Sequence, residues 1–396
     1  MRRLEAGDEK PAHNAFRAFL NQVNAFVRAR VLSANQAQPL LDAAAAVTGN
    51  GVTRRSLAAG YRFTCALTPT GEAQCWGENP YGQLGDGTAQ TRLAPVAVQG
   101  GLAFRQVTGG VSHTCGLTGD GVAYCWGRNQ VGQLGDASNT DRMAPTAVAT
   151  ALRFTDITAG ADHTCGLTRS GTAYCWGSNV AGALGNASWS NRNAPTVVAA
   201  GLPFTELRAG AFHTCAIAIP SGSYCWGWNA FGQLGDGTQT SRNVPTSVVG
   251  GTEFRVLEAY SVYSCALTGA GRAYCWGRAD NSDELTPVPL PGGLSFATLG
   301  DGGTRGTHNC GVSTAGPTYC WGPNNYGQLG DGTNVWTSIP TIVVGGHSFT
   351  RVTGGGEHNC GRTATGEVYC WGGNFTGQLG DGTQANRNTP TPIAGG

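Results

Sequence analysis

Between His113 and Gly127 the side chains sort onto two alternating faces. Cys115, Leu117, Ala123 and Cys125 fall on one; Thr114, Gly116, Tyr124 and Trp126 fall on the other. A period of two is that of a β-strand. Gly119-Asp-Gly121 in the middle turns the segment back on itself, because a three-residue hairpin loop ends in an αL residue and Gly121 stands at that place. Counting outward from Thr118 opposite Val122, the ladder sets Leu117 against Ala123, Gly116 against Tyr124 and Cys115 against Cys125. The cysteines then form a non-hydrogen-bonded pair with Cα atoms roughly 4.5 Å apart, at the short end of what a disulfide tolerates.

The pattern recurs seven times with a period of 50 residues. First cysteines stand at 65, 115, 165, 215, 265, 310 and 360. The shorter interval after 265 reflects eight residues lost after Trp276 and three gained at Gly303–Thr307. A tryptophan follows the second cysteine every time, and a small residue always follows the first. Tyr124 and its five counterparts lie opposite that small residue, with Gln74 the exception, so the tyrosine ring is expected to cover it. Each unit adds a strand such as Phe104–Val107 before the hairpin, an Asn-x-x-Gly-Gln-Leu-Gly-Asp-Gly-Thr loop after it, and an outer stretch such as Ala94–Val98, where proline suits an edge.

Four strands in each of seven units predict an all-β fold, a seven-bladed β-propeller of four-stranded blades. The units run approximately 53–102, 103–152, 153–202, 203–252, 253–294, 295–347 and 348–396, within a propeller domain of residues 51–396. The last stretch, Thr389–Ile393, matches Ala94–Val98 and is expected to complete the first blade, so that no sheet edge stays open.

Residues 1–50 follow another rule. Phe16, Phe19, Leu20, Val23, Phe26 and Val27 share one helical face, and Leu40, Leu41, Ala44 and Val47 share a second. They predict a short N-terminal α-helical hairpin that docks on the propeller or serves a partner or assembly.

Composition narrows the reading. A net charge of +1 and 12% charged residues give no footprint for nucleic acid or acidic membranes. No apolar run approaches the roughly 20 residues of a membrane span. All 14 cysteines fall into pairs: Cys65 with Cys75, Cys115 with Cys125, Cys165 with Cys175, Cys215 with Cys225, Cys265 with Cys275, Cys310 with Cys320, and Cys360 with Cys370. An even count with none left over favours disulfides and an oxidising compartment; buried reduced thiols are the alternative. Met1–Lys10 has no signal-peptide core, so either the sequence begins downstream of an export signal or the thiols are reduced.

The string Trp-Gly-x-Asn-x-x-Gly-Gln-Leu-Gly-Asp-Gly-Thr, preceded by Gly-x-x-His-x-Cys-x-Leu-x-x-x-Gly, resembles the regulator of chromosome condensation repeat from about Thr53 to Gly396. The resemblance implies a seven-bladed propeller that binds other proteins. In that family, members exchange guanine nucleotide on a small GTPase, and similar secreted bacterial propellers inhibit β-lactamases. The paired-cysteine Cys-Trp-Gly version is most similar to the bacterial, extracytoplasmic branch. Three departures stand out: the fifth unit lacks the Asn loop, the third reads Gly182-Ala-Leu-Gly-Asn-Ala-Ser188, and Arg362 takes an apolar place.

His113, His163, His213, His308 and His358 recur two residues before a cysteine, which raises a metal site. Phe63 and Tyr263 replace the histidine while both cysteines persist, so a hydrogen-bonded structural role is the better reading. Asp86, Asp136, Asp236, Asp331 and Asp381 occur once per loop, as turn formers rather than a converging cation site. No nucleophile elbow or P-loop is present. Aromatics that do not repeat are the candidate partner-binding residues: Tyr81, Trp189, Trp228, Phe231, Tyr326, Trp336 and Phe375. The sequence therefore points to a non-catalytic, monomeric, extracytoplasmic protein-binding propeller without cofactor. A nucleotide-exchange regulator, a secreted enzyme inhibitor and a polysaccharide-acting propeller are the alternatives.

Overall fold

The computed structural model describes residues 55–218, 222–278, 282–302 and 306–395. The helical hairpin expected over residues 1–50 lies outside them. The described residues form seven four-stranded antiparallel sheets, each with its strands side by side in chain order. In blade 2 the innermost strand is Phe104–Gly109, the second His113–Thr118, the third Ala123–Gly127 and the outer one Arg142–Ala147. The other blades span Leu57–Ala97, Phe154–Val197, Phe204–Ser247, Phe254–Pro289, Phe296–Ile342 and Phe349–Pro392. Innermost strands of successive blades touch around an axis, and the ring is a seven-bladed β-propeller.

The hairpin register is the one the alternation predicts. Leu117 faces Ala123, Gly116 faces Tyr124, Cys115 faces Cys125 and Thr114 faces Trp126. Thr118 N donates to Val122 O at 3.0 Å, and Gly121 has φ +84°, the left-handed conformation its turn requires. Every cysteine is bonded to its cross-strand partner. Cys65 joins Cys75, Cys115 joins Cys125, Cys165 joins Cys175 and Cys215 joins Cys225. Cys265 joins Cys275, Cys310 joins Cys320 and Cys360 joins Cys370. The Cα–Cα distances are 4.0–4.1 Å, as close pairing of this kind requires. The thiols are therefore oxidised in this fold, and the reduced alternative is not the state observed.

Two expectations are corrected. The ring over Gly116 is that of Phe104, which a Cβ on Gly116 would approach to 2.6 Å. Tyr124 meets the edge of that ring at 6.3 Å and stays half-buried. Phenylalanine has no hydroxyl to satisfy, so it takes the buried place. The second correction concerns closure. The C-terminal stretch does not complete the first blade: Arg387–Pro392 pairs with Val368–Gly372 inside blade 7, and blade 1 has its own outer strand, Arg92–Ala97. Each segment begins on an innermost strand, so among the described residues no strand is left over to be exchanged.

Closure is instead the work of the seams between blades. Trp126 of blade 2 packs with Phe104 and Val107 onto the Cys65–Cys75 disulfide and Leu84 of blade 1. At the closing seam Trp76, Leu57 and Ala66 pack onto Cys360, Cys370 and Leu379 of blade 7. The indole N–H of Trp76 donates to Gln378 O at 3.0 Å, and Trp276 and Trp371 make the same bond to Gln233 and Gln328. A buried tryptophan of this kind costs roughly 3–5 kcal/mol when cut to alanine.

The repeated histidine serves the same seams. His113 Nε2 lies 2.9 Å from Thr164 Oγ1 of the next blade, and Thr164 donates onward to Gln133 O. His163 meets Thr214, His213 meets Ser264, and His358 meets Thr64 at 3.0, 2.8 and 2.8 Å. Because the hydroxyl proton goes to the carbonyl, Nε2 is the donor to the hydroxyl oxygen. Nδ1 is left buried without a partner in His113, His213 and His358. Where Tyr263 replaces histidine, its hydroxyl crosses the seam to His308 O at 3.1 Å.

Burial therefore pushes His113, His213 and His358 down to about 3, and His163 and His308 down to about 4. The unfolded chain takes up these protons below about pH 6.5 and the folded one does not, so stability is lost as pH falls from there toward 4. At pH 5 each histidine withholds about 2 kcal/mol. Calorimetric Tm should thus drop steeply between pH 7 and 5, and less steeply in His113→Phe, which copies Phe63 of blade 1. A flat Tm over this range would contradict the buried neutral histidines.

Candidate partner-binding face

Phe63 pairs with Gly77 and His113 with Gly127, so the turn before each second strand and the long loop after each third strand emerge at the same end of the blade. All seven candidate aromatics belong to those long loops and thus to one face of the ring.

In every blade but the fifth the loop is held by its asparagine. Asn79 Oδ1 accepts from Leu84 N at 2.9 Å, and its Nδ2 reaches Asp86 Oδ1, Thr88 O and Gln90 O at 3.0–3.2 Å. Asp86 accepts from Thr88 N and forms a 2.8 Å ion pair with Arg92. Pairs of the same kind join Asp136 to Arg142, Asp236 to Arg242 and Asp381 to Arg387. Burial opposes ionisation of these four aspartates, but the neighbouring hydroxyl and guanidinium outweigh it and hold them below the usual carboxylate range. The aspartates are turn formers, each spent on its own loop. The cysteine sulfurs are likewise spent on disulfides, so the His-x-Cys pairs offer no thiolate to a metal.

On this scaffold the aromatics divide. Several bridge to a neighbouring blade: Arg128 lies 5.5 Å over Tyr81, Arg278 lies 3.9 Å over Phe231, and Phe375 meets Tyr326 edge-on at 4.9 Å. Trp228 is half-buried between Phe212 and Phe231, at 5.7 and 5.1 Å. Trp189, Trp336 and Phe375 stay open to solvent at 51%, 49% and 40% exposure. Trp189 rests on Gly182, where a Cβ would stand 3.0 Å from its ring.

A second constellation lies on the axis, and sequence reasoning missed it. Arg208 reaches Glu206, Glu258 and Asp156 at 2.6, 3.0 and 3.2 Å. Arg351 holds Asp301 at 2.6 Å, and Arg55 approaches it to 3.6 Å. Gln106 Nε2 donates to Asp156 Oδ1 at 2.7 Å. These groups come from different blades, and several of them border an axial cavity of about 30 Å³, room for a water. Four carboxylates face three guanidinium groups, one negative charge too many. Burial, against the pull of Arg208, pushes Glu258 up to about 7, and burial raises Glu206 as well. Burial also opposes ionisation of Asp301, but Arg351, Arg55 and Arg208 hold its carboxyl low. Each of the four carboxylates has an arginine within 4 Å, so the set is a polar plug rather than a free acid–base pair. Charged residues at strand positions that are apolar or hydroxylic in other units were the available signal.

The comparisons with known proteins agree with this architecture. The profile of the RCC1-like domain matches residues 29–286. The profile of the regulator of chromosome condensation (RCC1) repeat matches residues 315–361 and 365–396. The chain belongs to the regulator of chromosome condensation repeat family. Among solved structures it is similar to human WBSCR16, with TM-score 0.70, 22% identity, and coverage of 76% of this chain and 84% of that one. It is also similar to Prp20p of Saccharomyces cerevisiae, described with its binding to Gsp1p and histones, with TM-score 0.71, 20% identity and coverage of 83% and 87%. The ectodomain of the Arabidopsis thaliana receptor kinase ACR4 follows at TM-score 0.54, 19% identity and coverage of 86% and 97%. At these identities the likeness shows the repeat-family fold. Among curated protein sequences none matches.

The axial plug makes a prediction of its own. Arg208→Met leaves Asp156, Glu206 and Glu258 without their shared guanidinium and should cost about 3–5 kcal/mol in urea unfolding. Glu258→Gln removes the surplus charge and should cost far less. Equal losses would show that the network is not organised around Arg208.

Proposed function

We propose that this chain is a non-catalytic protein-binding propeller of an oxidising, extracytoplasmic compartment in a bacterium. The observation that carries this reading is the pair of half-exposed loop aromatics on the loop face, Trp189 and Phe375, which belong to none of the buried seam clusters. Rigid aromatics on a preformed frame bind with little ordering cost, which is how interface anchors work. The extracytoplasmic placement is supported by the disulfide in every seam, since small reductants of the cytoplasm keep such pairs open. A nucleotide-exchange role on a cytoplasmic GTPase would need the same cysteines reduced. The protein works as a monomer in this reading; assembly through residues 1–50 is a further proposal on the same footing.

Trp189→Ala and Phe375→Ala should each weaken partner capture about thirtyfold or more; the first should leave Tm nearly unchanged, and the second should lower it slightly, because Tyr326 loses its neighbour. Trp228→Ala should lower Tm as well, because Phe212 and Phe231 lose their neighbour. Capture is read by pull-down from an envelope fraction and titration of the isolated partner. Unchanged affinity in both of the first two variants would remove the loop face as the binding site.

A further inference from the structure

Blade 6 gives up the stabilising chemistry of its sister loops and exposes apolar side chains in its place. At the position of Trp336 the other blades carry Thr91, Asp141, Asn191, Ser241, Asp283 and Asn386. In blades 2, 3 and 7 that side chain accepts a hydrogen bond from the loop asparagine's backbone N–H at 2.7–2.8 Å. Trp336 offers Asn324 no such acceptor. One residue on, Thr337 replaces the arginine that pairs with aspartate in blades 1, 2, 4 and 7. Asp331 keeps its loop bonds from Asn324 and Thr333 through Oδ1, but among the described residues no arginine reaches it.

The same stretch carries Val335, Trp336, Ile339 and Ile342, exposed by 68%, 49%, 57% and 48%. Four large apolar side chains thus stand open within eight residues, in and just before the outer strand Thr337–Ile342. That strand is the rim of its sheet, with no strand beyond it among the described residues. Alanine or threonine stands at the place of Ile339 in blades 1, 2, 3 and 7, so the fold itself does not ask for isoleucine there. Losing a cap and an ion pair while exposing hydrophobic surface lowers stability, and natural proteins accept that where the surface has work to do.

We infer that the rim of blade 6, Val335–Ile342 together with Asp331, is a docking strip for an apolar, arginine- or lysine-bearing segment of a partner protein. The partner's aliphatic side chains cover Trp336 and the two isoleucines. Its cation takes the place at Asp331 that the sister blades fill with their own arginine. This deepens the protein-binding reading and rests on it, but it concerns the blade rim, not Trp189 or Phe375.

The test uses the full chain and two fluorescein-labelled 15-residue peptides, one of leucine, alanine and arginine, the other with glutamate for arginine. Anisotropy should show the basic peptide binding at least tenfold tighter than the acidic one, with the preference reduced by Asp331→Asn. Trp336→Asn combined with Thr337→Arg rebuilds the cap and the ion pair; it should raise Tm and weaken the basic peptide at least tenfold. Val335→Thr combined with Ile339→Ala should weaken it while leaving Tm unchanged. Equal binding of the two peptides, unchanged binding in both double variants, or a lowered Tm in the first would overturn the proposal. So would a light-scattering mass showing the strip buried in a homodimer that the variants dissociate. None of these outcomes depends on capture through Trp189 and Phe375, so failure of the strip and failure of the loop face are separable.

Discussion

The fold depends on one contact made at every seam: a tryptophan from one blade lying on the disulfide of the blade before it, joined by a loop leucine at every seam but the one after blade 5. The hairpin disulfide does not join blades. It sets two sulfurs in the floor on which the next blade's indole and phenylalanine rest, as with Trp126 and Phe104 on Cys65–Cys75. The indole N–H groups of Trp76, Trp226, Trp276 and Trp371 and the histidine–hydroxyl pairs then bond across the seams, satisfying polar groups that such close packing would otherwise strand. The closing seam repeats this arrangement with Trp76 and His358, so the ring needs no exchanged strand to hold its two ends together.

A ring closed by repetition is free to vary wherever a residue does not touch a seam. The loop asparagine and the Asp–Arg pair fix the shape of most loops, and the remaining positions differ from blade to blade. Aromatics collect at those positions. The axis varies too: its charges come from different blades and find partners across blades, which makes the centre specific to this order of blades. Blade 6 keeps its loop asparagine but gives up the cap and the arginine, and its departures fall on exposed residues.

Much of this was legible in the chain. Alternation along His113–Gly127 and the glycine at 121 specify the hairpin and its cysteine register, because both are local constraints. The same local rule pairs Cys165 with Cys175, Cys215 with Cys225, Cys265 with Cys275 and Cys310 with Cys320. The count of units gives the propeller. Two readings went wrong for non-local reasons. Tyr124 looked like the cover of Gly116 from the hairpin alone, whereas Phe104 arrives from the neighbouring strand. Thr389–Ile393 looked like a closing strand by likeness to Ala94–Val98, but likeness of sequence does not say which blade receives it. The axial network was out of reach because its members lie about one repeat apart in sequence and meet only once the ring is formed, although Asp156, Glu206, Arg208 and Glu258 were visible as charges in otherwise apolar strands.

The central claim is that the working protein carries oxidised cysteines under every seam. Intact-mass spectrometry of protein from its native source, unreduced and treated with an alkylating agent, tests it most directly. The account predicts an unalkylated chain 14 hydrogens lighter than its fully reduced form, one pair for each disulfide. Alkylation at all 14 cysteines would contradict it and place the propeller in a reducing compartment.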